Sequence, residues 1–141
     1  MKLLSFSFKK ISIEKFKDVF EDLKINTNID ISDIGKAENE FLKSKEDFLV
    51  ITFKHTINYD PDIAKLSFEG TLLASVEPKL AKEVLNSWKK KEIPSEFKLP
   101  IFNIIFRKTG IKAIQMEDEI GLPAHIPLPR LSSESKEVKE E

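Results

Sequence analysis

The sequence contains no cysteine among its 141 residues. This absence excludes disulfide bonds, iron–sulfur clusters and zinc sites built on thiolates. Glycine is also scarce, with four residues and none within two positions of another. The sequence therefore contains neither a phosphate-binding loop nor a dinucleotide-binding fingerprint, because both motifs need closely spaced glycines. We expect no cofactor.

An excess of charge of one sign is also missing. The chain has 23 basic and 24 acidic residues, for a net charge of −1, and only Arg107 and Arg130 of the basic residues are arginine. A dedicated nucleic-acid binder concentrates positive charge and uses arginine for bidentate contacts. The composition therefore predicts that nucleic acid is not a partner.

Long hydrophobic runs are absent as well. No apolar run approaches the roughly 18 residues that a membrane-spanning helix requires. The first residues, Met1–Ser5, lead straight into alternating Phe and Ser, without the apolar segment and cleavage site of a signal peptide. These features predict a cytoplasmic protein with no membrane span.

The first half of the chain shows the two-residue periodicity of half-buried strands. Leu4, Phe6 and Phe8 alternate with polar residues, and the pattern resumes one step out of phase at Ile11, which predicts a bulge near Lys9–Lys10. Three further strands are predicted at 23–31, 48–58 and 66–76, with a polar connection at 32–45. The turn residues at 59–62 predict that the third and fourth strands form an antiparallel hairpin.

The second half of the chain changes to helical periodicity. A first helix is predicted from Pro78 and a second, apolar on much of its surface, from Pro100 to Ile120. Gly121 and Pro123 should end the second helix. Prolines make residues 122–129 extended. Residues 132–141 should form a disordered acidic tail that follows a single domain at 1–131.

Isolated polar residues offer little catalytic chemistry. His55 falls on the apolar face of the third strand and is interpreted as a packed structural histidine. His125 lies between prolines, with no nearby acid, base or nucleophile in the sequence. Asp60 with Asp62, and the acidic residues 117–119, lack the spacing of a calcium loop and are interpreted as turn residues and a solvated helical face. We predict neither a catalytic residue nor a metal site.

The surplus of apolar residues is the more informative feature. Phenylalanine supplies 11 of the 13 aromatic residues, and Phe16 and Phe20 lie in a connection rather than in a predicted strand. The second helix is apolar all round. These residues either complete a core or an oligomer interface, or form an exposed groove for unfolded or extended polypeptide.

The last third of the chain resembles the export chaperone family SecB, and the order of elements agrees over residues 3–131. The resemblance rests on a helix with Trp88, a spacer with Pro94, a longer helix ending in Gly121-Leu122-Pro123, and the Leu/Pro segment at 126–129. It implies an α+β fold in which a four-stranded antiparallel sheet is followed by two helices packed on one side, with an extended proline-rich C-terminal segment.

The resemblance also implies a function. Members of the family are ATP-independent holdases for unfolded or export-bound chains and assemble as dimers of dimers. The connector between strands one and two and the second helix would form the client groove. The residues implied are Phe16, Val19, Phe20, Ile101, Ile105 and Phe106. The family also docks onto the export motor SecA through an acidic sheet surface, whereas the outward face here mixes residues such as Lys24, Asn26 and Lys54. A general holdase and a chaperone dedicated to one partner, such as an antitoxin, fit equally well.

Two alternatives come from other functional classes. The chain would be a structural subunit of a stable complex if its apolar surface were permanently covered. It would be an enzyme or a small-ligand protein if the fold brought His55 or His125 next to carboxylates. No motif in the sequence identifies the client or the number of subunits.

Overall fold

The computed structural model describes residues 1–37, 45–131 and 137–138 of the chain. Four long strands come first, followed by two helices and two very short strands. Their bounds are β1 Lys2–Lys15, β2 Lys24–Ala37, β3 Asp47–Asp60, β4 Ala64–Val76, α1 Pro78–Trp88, α2 Ser95–Ile120, β5 Arg130–Leu131 and β6 Glu137–Val138. The predicted fold class, a four-stranded antiparallel sheet followed by two helices, is confirmed.

The order of strands in the main sheet is β1-β4-β3-β2, and each neighbouring pair is antiparallel. The predicted hairpin of β3 and β4 occupies the centre of the sheet. Because β1 and β2 lie at opposite edges, the chain between them must cross the end of this hairpin. That crossing segment, residues 16–23, is called the connector below.

The register of β1 contains the predicted bulge. The pairing of β1 with β4 shifts between Phe8 and Lys10, where the apolar pattern changes phase. A second shift, between Leu3 and Ser5, was not predicted. As a result Leu3 packs against the core and Leu4 is exposed, which corrects the predicted start of the apolar face.

Strand β2 is longer than predicted. The segment at 32–45 was interpreted as a polar connection, but β2 continues through residues 32–37. The register against β3 shifts between Ile31 and Asp33. Before this shift the side chains that face the core have odd residue numbers, and after it they have even numbers, so that Ile34 is buried. A bulge of this kind interrupts the two-residue alternation, so a search for strict alternation misses the rest of the strand. Residues 38–44 lie outside the described part of the chain.

The proline and glycine residues predicted the ends of the two helices correctly, with one exception. Helix α1 begins at Pro78 as predicted, but α2 begins at Ser95 and contains Pro100 in its second turn. The added turn places Phe97 in the core, where it is almost fully buried, and this burial offsets the missing proline N–H. Gly121 ends the helix in the left-handed conformation, with a φ of 75°.

The helices pack on one face of the sheet over two apolar clusters. The first core cluster contains Ile34, Leu49, Ile51, Phe53, Leu72, Ala74, Val76, Ala81, Val84, Phe97, Ile101 and Ile105. The second core cluster contains Ile57, Tyr59, Ile63, Ala64, Leu66, Phe68, Ala113 and Leu122. The first half of α2 therefore covers the first core cluster, and its second half covers the second.

The C-terminal segment at 122–129 forms neither helix nor strand, in agreement with its prolines. The predicted disordered tail, 132–141, lies outside the described residues except for Glu137–Val138, which pairs with Arg130–Leu131. The division into one domain and a tail stays a prediction. In the described part of the chain, no helix is long and apolar enough to cross a membrane.

Two glycines offer a matched test of the packing. A Cβ atom on Gly70 would lie 2.4 Å from the backbone oxygen of Ser7 and 3.0 Å from the Phe53 ring, whereas one on Gly110 meets no atom within 4 Å. We expect Gly70→Ala to lower the free energy of unfolding by about 2–3 kcal/mol. Gly110→Ala should raise it by about 0.5–1 kcal/mol, because alanine favours the helix. Urea denaturation followed by circular dichroism measures both, and equal effects of the two substitutions would contradict the packing described.

Candidate polypeptide-binding groove

The connector is fixed at its start by hydrogen bonds to the neighbouring elements. The backbone N–H of Phe16 donates to the carbonyl of Ile63 at 2.7 Å, and that of Lys17 donates to the same oxygen at 3.3 Å. The Lys15 ammonium donates to the carbonyl of Ile120 at 2.8 Å, at the C-terminal end of α2 where a cation is favoured. The start of the connector is thus held against both the β3–β4 turn and α2.

The anchored connector nevertheless exposes apolar side chains. Phe16 is 55% exposed and Val19 is 63% exposed, although Phe20 is half-buried against the second core cluster. A loop whose start is fixed by hydrogen bonds and that still presents two exposed apolar side chains is typical of a binding surface. The predicted site residues of the connector therefore divide into two surface residues and one that anchors the loop.

A groove of about 710 Å³ lies between β2 and the helices. It is called the edge groove and is lined by Ile29, Asp30, Ile31, Trp88, Lys91, Glu92, Ile93, Lys98 and Phe102. Since β2 pairs with β3 alone among the described strands, alternate backbone N–H and C=O groups along its outer edge have no partner strand within the described residues. The groove thus combines an open strand edge with apolar walls.

Phe106 lies on α2 beside the stretch of β2 between the edge groove and the connector. One turn of helix after Phe102, its ring packs edge-on against His55, with 5.5 Å between the ring centroids. His55 in turn lies 2.6 Å from the Thr27 hydroxyl on β2. Phe106 is 45% exposed, and its contact with His55 places it near Thr27, which lies along β2 between Leu23 and the edge groove.

The other two helical residues of the predicted site have a different environment. Ile101 and Ile105 are almost fully buried in the first core cluster, on the face of α2 that packs on the sheet. Their side chains are not at the surface, although they support the backbone that carries Phe102 and Phe106. A direct role for them in client binding stays a prediction.

Several residues of the edge groove were not singled out from the sequence. The spacing of Phe102 and Phe106, four residues apart on one helix, was an available signal. Ile29 and Ile31 were recognised as one face of a strand, but their position beside an open edge follows only from the strand order. Trp88 was assigned to a helix stripe, and its partial exposure at the groove depends on how α1 packs.

His55 forms a closed hydrogen-bond network, which confirms its interpretation as a packed structural histidine. The Thr109 hydroxyl donates to the carbonyl of Ile105, so Nδ1–H of His55 must donate to Thr109 Oγ1 at 2.6 Å. Nε2 is then unprotonated and accepts from Thr27. Burial, and secondarily the charge of His125, lowers the pKa of His55 to about 4. The ring is therefore neutral at physiological pH.

Glu117 corrects the interpretation of residues 117–119 as a solvated helical face. Its side chain is 1% exposed, and its carboxylate accepts from both the backbone N–H and Nδ1 of His125 at 3.0 and 2.9 Å. The Tyr59 hydroxyl donates to the carbonyl of Pro123 beside this pair. Burial, followed by Glu117, raises the pKa of Tyr59 well above its ordinary value. The cluster holds the C-terminal segment against α2 and β3.

The pair of Glu117 and His125 is the histidine–carboxylate contact that an enzymatic function would need. Both side chains are buried, however, with 1% and 7% of their areas exposed. Each of the two carboxylate oxygens lies within 3 Å of Nδ1, so the contact satisfies the imidazole N–H. The arrangement is that of a structural clamp.

The comparison with known proteins that supports the fold is a comparison of structures and not of sequences. No protein-family model matches the chain, and no curated protein matches it. Its structure is similar to that of the Mycobacterium tuberculosis Rv1957 SecB-like chaperone, solved in complex with a ChAD peptide from the Rv1956 HigA1 antitoxin. The TM-score is 0.50 at 11% identity, over 93% of this chain and 90% of that chain. The chain has a SecB-like fold, as the resemblance implied.

The His55 network predicts a specific dependence of stability on pH. The folded-state pKa of about 4 lies below the unfolded value of 6.5, so between these pH values the unfolded chain binds a proton that the folded chain does not. Stability should therefore fall as the pH falls from about 6.5 towards 4. Urea midpoints measured across this range test the prediction.

A His55→Gln variant provides the comparison, since glutamine can accept and donate hydrogen bonds but does not titrate. We expect it to be less stable than the native chain at pH 7.5 by about 1–3 kcal/mol. It should then lose less stability on acidification. Equal losses in the two chains would show that His55 is not the responsible group.

Proposed function

We propose that this protein is a non-enzymatic, ATP-independent chaperone that holds extended or unfolded polypeptide segments along the outer edge of β2. The observation that carries the proposal is the edge groove, where an unpaired strand edge lies beside apolar side chains of both helices. The SecB-like fold supports the same class of function. Assembly into a homo-oligomer such as a dimer of dimers, and location in the cytoplasm, remain part of the proposal.

The strand edge provides affinity that does not depend on client sequence. An extended segment added to β2 would form main-chain hydrogen bonds with the free backbone groups of the edge. Its side chains alternate in direction, so every second one would point to the helix side and contact Trp88 or Phe102. General backbone pairing with adaptable apolar contacts suits a chaperone that accepts many unfolded chains.

The connector lengthens the surface available to a client. From Leu23, where the connector ends, to Asp30 in the edge groove, β2 spans about 23 Å at roughly 3.3 Å per residue. Phe106 lies between these two positions, and Phe16 and Val19 extend the apolar surface beyond Leu23. A segment of about eight to ten extended residues would therefore contact the connector and the groove together.

A chaperone dedicated to one partner is the second candidate. It is favoured by the Mycobacterium structure, in which a SecB-like chaperone of the same fold holds a peptide from an antitoxin. On this hypothesis the same groove would recognise one segment of one protein. A client range limited to that protein would distinguish it from a general holdase.

Trp88 is the single tryptophan of the chain and lines the edge groove, so it reports directly on occupancy. We expect a chemically unfolded, tryptophan-free client diluted into buffer to shift Trp88 emission to shorter wavelength, because binding removes water from the indole. Light scattering on the same samples should show stoichiometric suppression of client aggregation without nucleotide. An unchanged Trp88 spectrum together with full suppression would place the client elsewhere on the surface.

The contribution of the connector can be tested with surface substitutions alone. We expect Phe16→Ser with Val19→Ser to reduce suppression of aggregation several-fold while leaving the thermal midpoint nearly unchanged, since both side chains are mostly exposed. The control is Leu4→Ser with Ile126→Ser, two exposed apolar residues outside the connector and the edge groove. Equal losses in both variants would show that general surface hydrophobicity, and not the connector, binds clients.

A further inference from the structure

The charges of this chain are unevenly distributed, although its net charge is only −1. The helical region as far as Met116, which leaves out the acidic last turn of α2 at 117–120, carries nine basic and three acidic residues. The basic residues are Lys79, Lys82, Lys89, Lys90, Lys91, Lys98, Arg107, Lys108 and Lys112, and the acidic residues are Glu83, Glu92 and Glu96. The compensating negative charge lies in the rest of the chain. The helical region up to Met116 therefore carries a net charge of +6 (nine basic minus three acidic residues), and two of its cations, Lys91 and Lys98, line the edge groove.

Within the part of the chain that the structure describes, these cations form no ion pair. In the described ranges 1–37 and 45–131, the ion pairs are those of Lys15, Lys36, Lys54 and His125, and none of the nine helical basic residues forms one. Their charge is therefore available to a partner, subject to screening by salt.

Two of the cations lie inside the edge groove, next to its aromatic side chains. The Lys91 ammonium lies 4.5 Å from the centre of the Trp88 ring, and the Lys98 ammonium lies 5.4 Å from the centre of the Phe102 ring. Each apolar contact surface is thus paired with a positive group. A ligand side chain that packs on either ring would bring its neighbour close to an ammonium.

The acidic residues of the groove offset this charge only in part. Asp30 alternates with Ile29 and Ile31, which face the helices, and it pairs with Lys54 in register, so its side chain belongs to the opposite face of the sheet. Glu92 is then the one carboxylate among the groove residues on the helix side, against Lys91 and Lys98.

We propose that the edge groove selects extended segments in which apolar residues alternate with Asp or Glu, supplied by a partner protein. This inference rests on the proposed function, because it names the class of segment that the groove prefers. Apolar side chains of the segment would contact Trp88 and Phe102, and its carboxylates would pair with Lys91 and Lys98. The free edge of β2 favours a polypeptide occupant over a lipid surface, because lipid headgroups do not form a strand.

Three peptides of about twelve residues test the selectivity. They share the same alternating leucine and phenylalanine positions, lack tryptophan, carry a fluorescein label, and differ only in having Glu, Gln or Lys at the remaining positions. Binding to the full-length protein is measured by fluorescence anisotropy. In about 25 mM NaCl we expect the Glu peptide to bind about fivefold more tightly than the Gln peptide, and the Lys peptide to bind most weakly. In about 500 mM NaCl the difference should fall to about twofold or less.

Charge-reversal variants locate the effect. Lys91→Glu with Lys98→Glu should abolish the preference for the Glu peptide while binding of the Gln peptide changes little. The matched control is Lys2→Glu with Lys65→Glu, two exposed lysines on the strands that change the net charge by the same amount. If the control abolishes the preference equally, the effect comes from total charge and the assignment to the groove is wrong.

The outcomes separate this inference from the proposed function. Equal binding of the Glu and Gln peptides overturns the charge selectivity and leaves the groove as a general polypeptide site. Binding of none of the three peptides overturns the groove itself. Binding to phosphatidylglycerol vesicles without peptide binding would identify a lipid surface as the occupant. Tighter peptide binding after Glu134, Glu137, Glu140 and Glu141 are changed to Gln would identify the chain's own tail.

Discussion

The central position of the β3–β4 hairpin is the constraint on which the rest of the structure depends. Because this hairpin is paired on both sides, β1 and β2 can only lie at opposite edges. The chain between them must then pass the end of the hairpin, which creates the connector and anchors it at Ile63. The same arrangement leaves the outer edge of β2 without a partner among the strands that the structure describes. Both parts of the candidate site are thus consequences of one pairing.

Most elements were predictable because their signals are local. Alternation identified the four strands, Pro78 marked the start of α1, and Gly121 marked the end of α2. The errors occur where tertiary packing overrides a local rule. Burial of Phe97 extends α2 past a proline that would ordinarily begin a helix, and the bulge after Ile31 moves the apolar position by one residue. Neither effect is visible without the surface against which the residue packs.

The apolar character of α2 on all sides has a geometric explanation. Apart from Gly110, its buried residues follow a four-residue step through Phe97, Ile101, Ile105, Thr109, Ala113 and Glu117. Each step of four residues advances about 40° around a helix of 3.6 residues per turn, so the buried stripe winds by about 200° from Phe97 to Glu117. The sequence therefore shows apolar residues on every side, although each turn of the helix buries only one or two residues. This winding also places Glu117, an acidic residue, on the buried side of the last turn.

The candidate site was less predictable than the fold. Exposure of Phe16 and Val19 could be anticipated, because a connection has little sheet or helix to cover it. The edge groove could not be anticipated, since it requires the strand order and the packing of Trp88 and Phe102 against β2. Ile101 and Ile105 were assigned to the surface because a helix that is apolar all round does not reveal which side it buries. The contact of Glu117 with His125 depends on the reversal of the chain after Gly121, which brings together residues eight positions apart.

The pairing of β1 with β4 also determines the order in which the chain can fold. Lys2 pairs with Ser75, so β1 has no partner in the main sheet during synthesis until β4 has been made. During that interval the apolar side chains of Phe6 and Phe8 have no sheet to cover them, and pairing over so long a separation is slow. Strands β3 and β4 are joined by a short turn and can pair as soon as both have emerged. The newly made chain therefore presents an uncovered, extended, apolar segment of the general kind that its own groove is proposed to hold.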